Sequence, residues 1–291
     1  MKLTHRRAVW LMVAVTLMWS IAGIVTRHLE SARSFEVTFW RSFFTALSLV
    51  FILPLWRGPA TVWQQLRGAP AALWWSGLCW SGMFTSFMLA MTMTSVACVL
   101  VISALNPLFT ALIAWLFLRQ RIAAHTWLAI VLAGAGMGWM FVAQMAGDHW
   151  LGLLIALCVP LSAAINWVVV QQAHSHGKDV DLIPSVLVGA VISSLLTLPL
   201  ALPLQATAHD LGLLAVLGVV QLAIPCTLLV VCARVLQAPE VSLLAQLEIL
   251  FGILLVWLGA GERPGPAVLQ GGTLVLLALL ANEWMIWKNK P

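Results

Sequence analysis

The chain has 291 residues, 62% of them hydrophobic and only 9% charged, with a formal net charge of +5. A soluble domain carries about 25% charged residues, so this composition excludes a soluble globular protein and points to a lipid bilayer. The charge alone would allow nucleic acid as a partner, but its distribution along the chain, described below, does not.

Ten apolar stretches follow one another, at roughly 8–26, 36–56, 70–91, 95–118, 125–145, 150–172, 183–204, 210–233, 240–259 and 266–287. A hydrocarbon core about 30 Å thick takes about 20 apolar residues per helix. The first stretch follows Arg6 and Arg7 like a signal peptide. It is long for that role, however, and nine more stretches come after it. Backbone groups in lipid must be satisfied within the segment, so the stretches are read as helices. The alternation of a barrel strand is absent. The expected fold is therefore an all-α integral membrane protein with ten transmembrane helices and no soluble domain between them.

Taking the amino terminus as internal, the inner segments hold Lys2, Arg6, Arg7, Arg57, Arg67, Arg119, Arg121, Lys178, Arg234, Lys288 and Lys290. The outer segments hold Arg27, Arg33, Arg41 and Arg263. That asymmetry is the positive-inside bias of a multi-pass protein, with both termini expected in the cytoplasm. Sixteen Trp and no Tyr fit the same picture. Trp10, Trp40, Trp56, Trp63, Trp74, Trp127, Trp150, Trp284 and Trp287 lie near span ends, where indole anchors at the interface.

All five cysteines fall inside expected spans, and neither they nor the His174-Ser175-His176 loop forms a metal motif. The glycines of "GAGMG" (134–138) lie mid-span with no strand before them, so they are read as helix-packing glycines. With no Walker-type motif, ATP is not expected to drive the protein, and no cofactor or metal is expected. No Ser/His/Asp set or carboxylate pair converges within the spans, so enzymatic chemistry is not expected either.

The chain repeats itself. Leu108, Phe109, Leu112, Trp115, Leu116 and Arg121 recur as Leu250, Phe251, Leu254, Trp257, Leu258 and Arg263, at a constant offset of 142 residues. The same offset relates Leu11 to Leu153, Ser20 to Ser162, Ala22 to Ala164 and Thr85 to Thr227. Two halves, 1–146 and 147–291, then hold five spans each. Five is odd, so the second half enters the membrane from the opposite side. The expected architecture is two inverted five-helix repeats, as in secondary transporters that bind cargo between repeats.

The segments "TFWRSFF" (38–44), "LNPLFTALIAWLFLRQR" (105–121) and "LEILFGILLVWLGAGERP" (247–264) carry a resemblance to a known family. The chain resembles the EamA family of the drug/metabolite transporter superfamily across its whole length. Two positions depart from the family pattern: Gln120 stands for the usual Glu, and Ile249 for the usual Pro. The resemblance implies an inner-membrane secondary transporter that exports small organic metabolites by alternating access. Amino acids, aromatic or otherwise apolar ones included, are the expected cargo. Proton-coupled efflux of drug-like cations is the alternative, and a non-transporting membrane subunit the second. A small-molecule substrate and the lipid bilayer are the expected partners, without nucleic acid, and the protein is expected to be a monomer or weak homodimer.

Candidate substrate-binding residues come from the polar and aromatic side chains inside the spans. Glu248 is first among them, because a charge at the bilayer centre costs about 2.5–3.5 kcal/mol on insertion scales and must face protein or water. Its repeat counterpart is Asn106, which lies with Ser103 and Thr110 on one helical stripe broken by Pro107. Arg41 could bind a cargo carboxylate, pair with Glu36 or Glu248, or snorkel to the surface. Ser20 and Ser162 are repeat partners, with Asn166 one turn beyond Ser162. Trp19, Trp80, Phe84 and Trp167 lie deep enough for a cavity wall. Gln221 precedes Pro225, a kink and a candidate gate. Each of these also has a structural reading, as a hydroxyl bonded to its own helix, a packing aromatic, or a carboxylate tied to a neighbouring helix.

Overall fold

The computed structural model describes residues 4–118, 123–145, 150–175, 184–232, 235–236, 241 and 244–288. Every regular element among them is helical. In chain order these are α1 (His5–Arg27), α2 (Ser34–Arg57), α3 (Pro59–Arg67), α4 (Ala71–Met93), α5 (Val96–Ser103), α6 (Asn106–Leu118), α7 (Ala124–Met145), α8 (Trp150–Ser175), α9 (Pro184–Ala201) and α10 (Ala208–Val216). A π-helix (Leu217–Ala223) follows, then α11 (Ile224–Cys232), α12 (Leu247–Ala260) and α13 (Pro266–Lys288). Gln120, His176 and the basic residues Lys2, Arg119, Arg121, Lys178, Arg234 and Lys290 lie outside the described residues.

Eight candidate spans are long and apolar enough to cross a membrane, with α5–α6 and α10–α11 each counted as one. Two of the ten expected spans do not reach that standard. The third is a helix of 23 residues, α4, whose three Trp and several Ser and Thr lower its hydropathy. The ninth is the 14-residue α12.

Local chemistry sets the element ends. Gly58 adopts φ +86° and Pro59 opens α3 after it, so the chain turns between α2 and α3. Ser95 caps α5 by accepting from the Cys98 amide at 3.3 Å. Thr207 and Asp210 form a reciprocal capping box at the start of α10. Gly261 ends α12 at φ +67°.

The helix pairings have a pattern. With the spans numbered in order, span 1 packs on span 9 (α1 on α12) and span 6 on span 4 (α8 on α6). Span 1 also meets span 8 (α11), as span 6 meets span 3 (α4). Span 2 meets the π-helix of span 8, as span 7 (α9) meets span 3. The pairs α2–α9 and α7–α13 belong with these. Adding or subtracting five spans converts each of these pairings into another of them or into itself, while the lesser contact of α2 with α4 has no counterpart of similar extent.

The fourth span is broken in the middle. A turn at Ala104 and Leu105 separates α5 from α6 just before Pro107, which cannot continue the hydrogen-bond ladder. In the other half a turn at Gln246 precedes α12. Gln246 is Ala104 plus 142, so the two breaks occupy equivalent positions.

The surface is that of a lipid-embedded bundle. Trp10, Trp63, Trp74, Trp127, Trp150 and Trp284 are exposed. Three cations cap indoles at helix ends: Arg57 over Trp56 at 5.0 Å, Arg67 over Trp63 at 4.6 Å and Lys288 over Trp284 at 5.4 Å. The "GAGMG" glycines divide their work. A Cβ on Gly136 would stand 2.7 Å from the Gly271 carbonyl of α13, so this position needs glycine, while Gly134 and Gly138 face open space.

Candidate functional site

The buried face of α2 carries Glu36, Val37, Arg41, Ser42 and Thr45. Arg41, only 2% exposed, is the charge on this face that reaches the middle of the bundle. Its Nε and Nη2 donate to Oε1 of Gln221 at 3.1 and 2.9 Å. Its Nη1 approaches the Phe84 carbonyl at 3.5 Å. The guanidinium carbon lies 5.8 Å from the Phe84 ring centre and 5.7 Å from that of Phe87, inside the range where a ring face attracts a cation. Trp80 continues this aromatic wall, its ring 5.4 Å from that of Phe84.

Gln221 reaches Arg41 because the π-helix and α2 touch backbone to backbone. A Cβ on Gly218 would sit 2.8 Å from both the Arg41 carbonyl and the Thr45 amide, so only glycine allows the approach. Thr45 Oγ1 donates across the contact to the Gly218 carbonyl at 3.2 Å. Single π turns inside α-helices recur at functional sites. From here Gln221 Nε2 donates to the Trp19 carbonyl of α1 at 3.3 Å, so one side chain joins α1, α2 and span 8.

Glu248 stands in the first turn of α12. The free N–H groups of a helix start favour a carboxylate there, which gives a physical reason for acid chemistry at a helix break. Ser20 Oγ lies 2.6 Å from the Thr16 carbonyl and 3.1 Å from the Glu248 carbonyl, fixing this turn against α1. The Glu248 carboxylate is half-buried and interacts electrostatically with Arg41 and the Cys226 thiol. Among the described residues it makes no hydrogen bond, and no direct ion pair joins it to Arg41.

The structure thus gathers Trp19, Ser20, Arg41, Trp80, Phe84, Gln221 and Glu248 around one centre. Other candidates are placed elsewhere. Asn166 Oδ1 and Ser185 Oγ lie 2.6 and 2.9 Å from Ser76 Oγ, a knot that holds α8 and α9 on α4. Ser162 packs on Gly82, where a Cβ would stand 2.8 Å from its Oγ. Ser103 Oγ is buried without a partner among the described residues. Asn106 is exposed and accepts from Thr110 at 3.3 Å, one turn on in the same helix. Pairing of Arg41 with Glu36 does not occur, because Glu36 Oε1 accepts from the Gln205 and Ala206 amides, both at 2.8 Å.

Two residues of the cluster escaped the sequence reading. Phe87 is one helical turn beyond Phe84 and shares its face, so spacing alone could have found it. Cys226 carries no sequence signal that separates it from a packing thiol. A cavity of about 410 Å³ between Arg33, Phe35, Met93, Leu151 and Leu202 shares no residue with the Arg41 cluster.

A helical membrane bundle with mid-span helix breaks, a buried arginine and a nearby carboxylate defines a membrane transport protein. The EamA-like transporter family matches residues 6–142 and again 150–282, and the chain belongs to this family, one of transporters and not of enzymes. It is 26% identical over 155 residues to an uncharacterized transporter of Pseudomonas aeruginosa. That alignment covers 52% of this chain, and the chain spans about half (51%) of the length of this relative. A solved protein crystal structure shares the fold, with a TM-score of 0.63 at 15% identity over 98% of this chain and 99% of the other.

Proposed function

We propose that the protein exports small organic metabolites, amino acids foremost, across the bacterial inner membrane by alternating access. Its ten spans form two inverted five-helix repeats, 1–146 and 147–291, with both termini cytoplasmic. The matched helix pairings and the equivalent breaks at Ala104 and Gln246 support the repeat, since interrupted spans in corresponding halves are where transporters bind cargo.

Arg41 and Glu248 carry the choice of cargo. One is basic and the other acidic, and no direct ion pair joins them. An amino acid supplies the missing partners, its carboxylate for Arg41 and its ammonium for Glu248. The Trp80, Phe84 and Phe87 wall accepts an apolar or aromatic side chain. Efflux of drug-like cations would use Glu248 alone, and the neighbouring guanidinium opposes a lone cation there. Membership in a transporter family disfavours the non-transporting subunit.

The test is flux in liposomes containing the purified protein, with a panel of amino acids, their amides, the matching decarboxylated amines and quaternary cations. Amino acids should move and the amines should not. Flux of cations without amino acids would reverse the assignment. Topology is checked by single-cysteine labelling: a probe near Arg263 should react from the periplasm and one near Arg121 should not. Labelling of both from one side would end the inverted-repeat reading.

A further inference from the structure

The hydrogen-bond geometry around Arg41 contains more than a tether. A guanidinium presents two parallel N–H edges to a carboxylate, and side-on pairing uses Nε and Nη2. Those two donors are the ones occupied by Gln221 Oε1. An amide oxygen is the neutral likeness of a carboxylate oxygen, and a single one here bridges both donors. A carboxylate offers one oxygen to each donor and a full charge, so it forms the stronger pair. The remaining donor, Nη1, has only the long 3.5 Å approach to the Phe84 carbonyl.

Gln221 is not held by Arg41 alone. Its Nε2 donates to the Trp19 carbonyl, so the same amide fastens α1 to span 8. The side chain is 2% exposed, and Thr45 and Gly218 fix the backbone that presents it. The arrangement also differs in the other half: Gly218 packs on Arg41, Phe44 and Thr45, whereas the matching contact of Gly77 is on Val188 and Gly189 and brings no arginine to the glycine. A pairing needed merely for packing between repeats would be expected on both sides of the two-fold axis.

We infer that Gln221 is an internal competitor for the cargo carboxylate: both claim the Nε/Nη2 edge of Arg41, and a cargo that wins it frees the Gln221 amide, weakening the tie between α1, α2 and span 8. The inference rests on the reading that Arg41 receives a cargo carboxylate. It makes Gln221 a positioning residue that converts recognition of a carboxylate into helix release. Binding and movement are thereby coupled, because a ligand shifts a conformational equilibrium only through contacts that differ between the states.

The experiment measures affinity and maximal flux separately, on full-length protein, with phenylalanine, leucine and their decarboxylated amines as probes. Gln221→Leu removes the competitor. Amino acid affinity should rise by about tenfold, the scale of one hydrogen bond to a charged group, while maximal flux falls because binding no longer loosens a tie. Gln221→Glu installs a permanent carboxylate of the same size. It should weaken amino acid binding at least about tenfold by the same scale, and it serves if the Leu variant does not fold. Arg41→Gln separates the two levels of the inference. If it abolishes amino acid binding but both Gln221 variants bind like wild type, Gln221 is only a packing residue and the competitor role is overturned. If amino acids do not bind wild type, or bind equally well to Arg41→Gln, the carboxylate reading falls and takes this inference with it.

Discussion

The charges at one end of the bundle and those at its middle are treated differently by the fold. At the end where α1 meets the C-terminus of α12, the buried Asp210 carboxylate accepts from the amides of Glu30, Ser31, Ala32 and Thr207 at 2.8 to 3.4 Å. Glu262 accepts from Arg27 Nε at 2.6 Å and from the Val96 amide at 2.9 Å. Arg27 also donates to the carbonyls of Met91 and Thr94, at 3.2 and 2.9 Å. Both carboxylates are satisfied, largely by backbone, and they pin the 30–32 loop, the α4–α5 corner and the end of α12 together. In the middle, the Glu248 carboxylate makes no hydrogen bond among the described residues, and Arg41 is held by a neutral amide. The Asp210 and Glu262 carboxylates hold loops, whereas the Glu248 carboxylate has no such bond among the described residues.

The contrast can be broken most forcefully at Asp210. Asp210→Ala strands several buried amides, each costing about 1–3 kcal/mol when no substitute partner is found. The net loss should be about 3 kcal/mol, read as a lower midpoint in thermal or detergent unfolding, with cargo affinity unchanged in the fraction that remains folded. A change in affinity with unaltered stability would move Asp210 into the transport machinery. Glu248→Gln should do the reverse. Its flux should fall by about tenfold or more, the equivalent of about 1.4 kcal/mol in the transport barrier, with stability equal to or above wild type because a desolvated charge has gone. Normal flux in this variant would return Glu248 to the structural class. The smallest effect is expected at Glu262→Gln. It keeps an acceptor for the Val96 amide but loses the partly exposed ion pair, which is worth about 1 kcal/mol or less. The unfolding midpoint should shift slightly, and amino acid affinity should stay within about twofold, well under that energy.

The membrane class, the helical fold and much of the central cluster were legible from hydropathy, repeat offset and residue chemistry. Trp19, Arg41, Phe84, Gln221 and Glu248 announced themselves as polar or bulky residues deep in apolar runs. The spatial partner of Glu248 was not legible. The offset pointed to Asn106, but repeat symmetry relates positions across an axis and does not place them in contact. Gln221 meets Arg41 because a π turn rotates its helix and Gly218 admits α2, and neither effect follows from a 3.6-residue period. The roles of Arg27 and Asp210 were equally hidden, since a carboxylate that caps three loop amides looks in sequence like any interfacial acid. The turn at Gln246 that opens α12 also escaped, because no Gly or Pro marks it between 240 and 251.

The Arg27–Glu262 pair has one more consequence. Its repeat-related positions hold Val169 and Gln120, which cannot form an ion pair. In the two-fold architecture proposed above, a carrier with identical halves would spend equal time open to each side. Here the Arg27 end has an ion pair that the residue types at the related positions do not allow. If the carrier alternates as proposed, a bias of about 1 kcal/mol corresponds to roughly a fivefold difference in dwell time, in favour of the state with the Arg27 end shut. On that reading, the resting orientation of the transporter depends on a residue pair far from the proposed cargo site.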